Sequence, residues 1–378
     1  MRALQKLDAY CAAQAYKGWD LFDGLNSRWF QKFPLSGSRF CRLAWIQLLK
    51  RSPINLRPVA GVPKGYNAKG LALFASGLVA QGRMDEARIL LELLRQMTCA
   101  GYAGISWGYN FPWMARAFYV PEGKPNMVTT VFAANAFLDF AARTEDPVEA
   151  TRYVDIADQC CEFISQELVV FEDSRNLCFG YIPGEEARVH NASMLGAALL
   201  GRVQAIHHNP VYLEKSRKAM AYAVQALNPD YSWPYGELSH HRFVDNFHTG
   251  FNLVALKTWM DATGETLWMN ELKKAYHYYL DIFWLADGSP KYYNTSLYPI
   301  DVHCSAQGII TCLKLQEYDE RSIPMADKIA SWAIKHMQDK KGYFYYQKHR
   351  YFTNKIPYIR WSQAWMFYAL SLYEVKAN

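Results

Sequence analysis

Asp245-Asn246-Phe247-His248-Thr249-Gly250 is a polar cluster that runs straight into the apolar stretch Phe251 to Leu256. Asp, Asn and Ser satisfy the free N–H groups at helix starts, so the cluster reads as a helix head. Five further clusters share the design: Tyr66-Asn67-Ala68-Lys69-Gly70, Pro125-Asn126-Met127-Val128-Thr129, His190-Asn191-Ala192-Ser193, Asp301-Val302-His303-Cys304-Ser305 and Tyr358-Ile359-Arg360-Trp361-Ser362. From Tyr66 through Pro125, His190, Asp245 and Asp301 to Tyr358 the steps are 59, 65, 55, 56 and 57 residues. A sustained period of this kind marks one supersecondary unit stacked repeatedly.

The segments behind these heads are apolar nearly all round, with Ala and Gly permitting close approach, as expected of buried helices. Between them lie amphipathic segments at 84–98, 147–169, 210–227, 265–283 and 322–337, each with one apolar stripe and charges opposite. Each repeat therefore pairs an inner helix with an outer one. The segment 38–51 supplies a sixth outer helix if it packs beside the last inner one. The expected fold is all-α, an (α/α)6 toroid of six helical hairpins with short β-hairpins or aromatic loops on one face. Residues 1–37 form an N-terminal helix and lead-in, and 38–378 a single toroid domain.

Turns from inner to outer helices are short. Connections from outer to inner helices are long and aromatic, as in Ser106-Trp107-Gly108-Tyr109-Asn110-Phe111-Pro112-Trp113 and Ser232-Trp233-Pro234-Tyr235-Gly236-Glu237. Long loops gathered on one face usually carry function, and these all arrive at the polar helix heads. The aromatic fraction of 15%, with 26 Tyr and 12 Trp, suits an apolar wall that must also hydrogen-bond.

Composition narrows the class further. The 378 residues are 51% hydrophobic without a uniformly apolar stretch long enough to span a bilayer. The net charge of +6 is spread without a Lys/Arg run, which argues against nucleic acid as a partner and hints at a small anionic one. Eight cysteines form no C-x-x-C pair, so reduced thiols in a cytoplasmic protein are expected rather than disulfides or a zinc site. No cofactor is implied, and no metal.

The repeat period, the alternation of helices and the aromatic loops resemble the six-hairpin (α/α)6-barrel superfamily, over about residues 38–374. That group includes glycoside hydrolases, unsaturated-uronyl hydrolases, toroid polysaccharide lyases, N-acylglucosamine epimerases and uronyl C5-epimerases. The resemblance implies a cleft on the loop face where aromatic rings stack on a poly- or oligosaccharide. It brings no diagnostic catalytic motif with it.

Candidate catalytic residues follow from chemistry and position. Asp245 and Asp301 begin inner helices one repeat apart, where helices pack roughly 8–10 Å from each other, so the pair can flank one glycosidic bond as in inverting hydrolysis. The alternative for both is simple N-capping. Glu237 sits on an aromatic loop that would raise its pKa, as a general acid needs. His248 and His303 stand beside the two acids, and with a tyrosine would serve instead in proton transfer by a lyase or uronyl C5-epimerase. Candidate substrate contacts are Tyr66, Asn67, Trp107, Tyr109, Asn110, Trp113, Asn126, His190, Asn191, Trp233, Tyr235, Tyr298, Arg350, Arg360 and Trp361, the arginines suiting an acidic sugar. A non-catalytic glycan-binding protein remains the alternative from outside enzymology.

Overall fold

A computed structural model describes residues 2–114 and 119–377. The chain runs through α1 (Arg2–Ala13), the single turn α2 (Arg28–Gln31), α3 (Arg39–Arg51), α4 (Ala68–Ala80), α5 (Met84–Arg95), the hairpin β1 (Trp113–Met114) and β2 (Tyr119–Val120), α6 (Met127–Ala141) and α7 (Pro147–Glu167). It continues with the hairpin β3 (Val169–Glu172) and β4 (Leu177–Phe179), then α8 (His190–His207), α9 (Pro210–Gln225), α10 (Asn246–Thr263) and α11 (Met269–Ile282). Strand β5 (Ile300–Asp301) leads into α12 (Val302–Lys314) and α13 (Ser322–Met337), and β6 (Gln347–Lys348) and β7 (Thr353–Asn354) precede α14 (Trp365–Ala377).

Each class of helix is written locally. In α4, every residue from Ala68 to Val79 is buried. Such a helix has no solvent face and must be enclosed. By contrast α5 buries only Ala87, Leu90, Leu91 and Leu94, one stripe at helical spacing, with Asp85 and Glu86 in its first turn and Arg95 in its last, as the helix dipole favours. Outer helices α7 and α9 begin with Asp146-Pro147 and Asn209-Pro210, a capping side chain followed by a proline already set for the first turn.

The inner helices α4, α6, α8, α10, α12 and α14 pack each against the next, and α14 returns to α4, so the ring is closed. Outer helices α5, α7, α9, α11 and α13 pack on α4, α6, α8, α10 and α12 in turn. A repeating hydrogen bond holds the loop face together. The N–H at the head of four inner helices donates to the loop of the following repeat: Met127 to the carbonyl of Tyr181, His190 to Tyr235, Asn246 to Tyr292 and Val302 to Tyr346, at 2.8, 3.0, 2.9 and 3.2 Å. Ile359, at the last head, donates to Trp19 at 2.9 Å in the same pattern.

That bond identifies the helix that completes the outer layer, and it is not the one expected. The helix packed on α14 is α1, which buries Leu4, Leu7 and Cys11 in the main core. It is tied to its neighbours by Gln338 Nε2 donating to the Ala3 carbonyl and by the Asp8–Arg83 ion pair. The segment 38–51, expected in that position, belongs to an insertion between Trp19 and the head of α4. There α3 packs on the 23–26 turn and β1, burying Ile46 and Leu49 and leaving Phe40 and Leu48 exposed. A helix with so narrow an apolar face can lie on the rim but cannot line a core.

Candidate active site

The aromatic loops alternate. Trp107 and Trp233 turn outward into the helix layers, where their indole N–H groups donate to the carbonyls of Leu94 and Ala223 at 2.7 and 2.8 Å. Two residues later, Tyr109 and Tyr235 turn toward the barrel axis. Tyr181 and Tyr292 do the same from their own loops, and the hydroxyls of Tyr109 and Tyr181 are 2.8 Å apart. These rings wall a cavity of about 540 Å³ at the mouth formed by the inner-helix heads. Trp113, Trp361 and Asn191 also line it, together with Phe22 from the N-terminal insertion.

Two imidazoles stand on the cavity wall. His248, on the first turn of α10, holds its Nδ1 at 2.7 Å from Asp245 Oδ2. A carboxylate on one ring nitrogen fixes the tautomer and leaves Nε2 as the free nitrogen. His303, on the first turn of α12, is 1% exposed, and neither of its ring nitrogens has a protein partner. Phe247 lies against both imidazoles, 4.1 Å from His248 and 4.6 Å from His303 between ring centres. Burial, with the positive charges of Lys69 and Arg360 nearby, holds His303 well below the ordinary histidine pKa, so it is a neutral imidazole.

The two helix-head carboxylates stand behind the wall and do not line it. Asp245 Oδ1 caps α10 by accepting from the His248 N–H at 2.9 Å, while Oδ2 keys the imidazole. Asp301 accepts from the His303 N–H at 2.8 Å and Gln347 Nε2 at 2.6 Å, and Trp361 Nε1 lies 3.1 Å from both its oxygens. Its place is to fix Trp361 and the head of α12. The structure therefore does not bring the acids together as an exposed pair across the cavity.

Burial pushes the Asp301 carboxyl up to about 7, against those hydrogen bonds. A folded-state pKa above the ordinary 3.8 means that the fold favours the protonated acid, so this contribution to stability is present at low pH and is lost as pH rises from about 4 through about 7. Asp301→Asn, an uncharged mimic, is expected to remove that share. Urea unfolding at pH 5 and pH 8 should show the variant losing less stability than wild type over the interval, by on the order of a few kcal/mol. Parallel curves for the two proteins would show that Asp301 does not titrate there.

Two cations share the floor of the cavity. Arg360 makes a two-point ion pair with Asp20, Nε to Oδ2 at 2.7 Å and Nη2 to Oδ1 at 2.8 Å, and lies 5.0 Å over the Tyr109 ring. Its segment, Ile359–Ala364, is a π-helical turn leading into α14, a distortion frequent at functional sites. Lys69 comes from the first turn of α4. Its Nζ sits 4.3, 4.9 and 5.3 Å from the ring centres of Phe132, Trp365 and Phe251. In the sequence Lys69 stands only as part of a helix head, where a lysine usually reaches for solvent. Glu185 and the paired His240 and His241, which also line the mouth, carried no signal above that of ordinary loop residues.

The remaining candidates lie off the cavity. Glu237 accepts from the Tyr222 hydroxyl and pairs with Arg188 at 3.6 Å on the outer side of its loop. His190 is buried near Tyr222, with its pKa lowered by burial to about 4. Asn67 and Asn126 cap α4 and α6, and Asn110 accepts from Asn67 Nδ2 at 3.0 Å. Tyr66 packs under Lys17, while Tyr298 and Arg350 are exposed on loops. Among the described residues no three His, Cys, Asp or Glu side chains are grouped to hold a metal ion, and no helix is long and apolar enough to cross a membrane.

No protein-family model matches the sequence, and no curated protein matches it. Solved structures do match the fold. A cellobiose 2-epimerase from Bacillus thermoamylovorans superposes with a TM-score of 0.62 at 10% identity, over 84% of this chain and 90% of that one. A D-mannose isomerase gives 0.59 at 13% identity, over 82% and 87%. A family 76 glycoside hydrolase from a bovine Bacteroides thetaiotaomicron strain gives 0.62 at 12% identity, over 81% and 68%. Closed ring, paired layers and these superpositions agree: the chain has the (α/α)6 toroid fold on which those sugar enzymes are built.

Proposed function

We propose that this chain is a carbohydrate-active enzyme that moves a proton at a carbon atom of a sugar, as an epimerase or isomerase does, with His248 and His303 as its acid–base pair. The observation that carries this reading is the wall itself: two imidazoles from neighbouring inner helices flank Phe247, one keyed by a carboxylate and one neutral and unpartnered. A proton transfer needs a group that accepts and a group that donates at the reacting atom, and imidazole does both near neutral pH. The rings of Tyr109, Tyr181, Tyr235 and Tyr292 would hold a sugar between them. An epimerase and an isomerase among the structures of like fold support the same chemistry.

Hydrolysis by two carboxylates is the weaker reading. It requires acids on both sides of the bond, and among the described residues Glu185 alone brings a carboxylate to the wall. The test is product analysis on a panel of neutral and acidic mono- and oligosaccharides. The expected product is an epimer or a ketose–aldose partner of unchanged chain length. New reducing ends would restore the hydrolase reading, and an ultraviolet-absorbing unsaturated sugar would make the enzyme a lyase.

A further inference from the structure

Lys69 is out of place for a structural residue. It is 3% exposed, projects from α4 to the barrel axis, and makes no hydrogen bond or ion pair to protein among the described residues. The three rings around Nζ come from α6, α10 and α14, so the amine stands at the centre of the inner ring. Its underside is closed by Phe251 and Trp365, and its open side is the cavity. Buried charges are normally paired, because leaving one unpaired in a low-dielectric interior is costly, and burial with Arg360 nearby pushes the Lys69 amine well below the ordinary lysine range, a shift that a bound anion would oppose. The buried arginines obey that rule: Arg360 is matched by Asp20 and Arg57 by Asp23. Lys69 is the group left without an anion, and both ring nitrogens of His303 beside it are buried without a partner.

We propose that the anion missing from Lys69 is a carboxylate of the substrate, so that the sugar handled in this cavity is a uronic acid. This rests on the proton-transfer reading above and names its substrate class. The carboxylate at Lys69 brings the adjoining carbon, C5, to the level of the two imidazoles. His303 takes the C5 proton. The electrons of that bond pass into the carboxylate, and the enediolate so formed is held by Lys69 and Arg360. Protonated His248 returns a proton to the opposite face of C5, and proton exchange with water resets the imidazoles. The carboxylate is restored and C5 inverted, with no oxidant or reductant consumed. Positive groups aimed at the atoms where charge develops are the usual means of lowering such a barrier.

The experiment is calorimetric titration of the full chain with oligosaccharides of glucuronate or galacturonate, each beside the same oligosaccharide with its carboxyls reduced to hydroxymethyl groups. Wild type is expected to bind the acidic member about 10- to 100-fold more tightly, the worth of one hydrogen bond to a charged group. Lys69→Met should bind both members equally and at the neutral level, with a melting temperature no lower than wild type because an unpaired buried amine is gone. Lys69→Gln serves as a second variant with the same expectation for binding. Equal or absent binding of the two members by wild type, or a preference that survives in Lys69→Met, overturns the proposal. His248→Asn separates it from the reading on which it rests. An acid preference kept in that variant, alongside wild-type protein that leaves C5 untouched, would sustain the carboxylate site and remove the proton transfer.

Discussion

Asp245→Asn is expected to lower turnover by about 10²- to 10⁴-fold, the range for loss of effective general acid–base catalysis, while the protein stays folded. The substitution is informative because Asp245 has two jobs on two oxygens. Oδ1 caps α10, and Asn caps a helix as well as Asp does, so the helix should survive. Oδ2 accepts from His248 Nδ1, and an amide nitrogen in that place would face the imidazole with a donor. The ring would then present the wrong tautomer. His303→Asn should fall in the same range, because its neutral, unpartnered imidazole is lost outright. Near-normal turnover in Asp245→Asn would reduce Asp245 to a cap.

Arg57→Ala is expected to cost about 3–5 kcal/mol of unfolding free energy, the range for removing one partner of a buried ion pair. Arg57 is 0% exposed. It donates to Asp23 at 2.6 Å, to the Tyr358 hydroxyl at 2.9 Å and to the Leu21 carbonyl at 3.1 Å, so it ties the N-terminal insertion to the head of the last inner helix. Burial already pushes Asp23 up to about 6 against the pull of Arg57. Without that charge the pKa rises further, and the fold favours the protonated acid still more. The loss should therefore be larger at pH 8 than at pH 5. Urea unfolding at both values measures it, and a loss under about 1 kcal/mol at either pH would show that the insertion is held by its apolar contacts instead.

The repeat was legible because inner and outer helices obey different rules along the chain. Ala68–Ala80 has no polar face, whereas Met84–Arg95 has one stripe. The closing helix was not legible, since both Arg2–Ala13 and Arg39–Arg51 are amphipathic. The bond from Ile359 to Trp19 and the packing of Arg2–Ala13 on α14 show which of them completes the ring. The aromatic loops point to one face, where the structure has a cavity, but their sequence does not show how they alternate: Trp107 and Trp233 anchor outward and the tyrosines two residues later turn inward. Helix-head position alone does not tell a carboxylate that faces a cavity from one that supports a neighbour, as Asp301 under Trp361 shows. Lys69 was hidden because a lysine among apolar residues on a helix usually reaches for solvent, and only the closed ring directs it to the axis.

The most direct test of the proton-transfer account is solvent exchange. Wild type is incubated with the panel of sugars in deuterium oxide, and the reisolated sugars are examined by mass spectrometry and proton NMR. The account predicts one deuterium at a single carbon of an unfragmented sugar, C5 where the substrate is a uronate, and none with His303→Asn, which lacks the group that takes the proton. Turnover that yields shortened chains with no deuterium on carbon would contradict it.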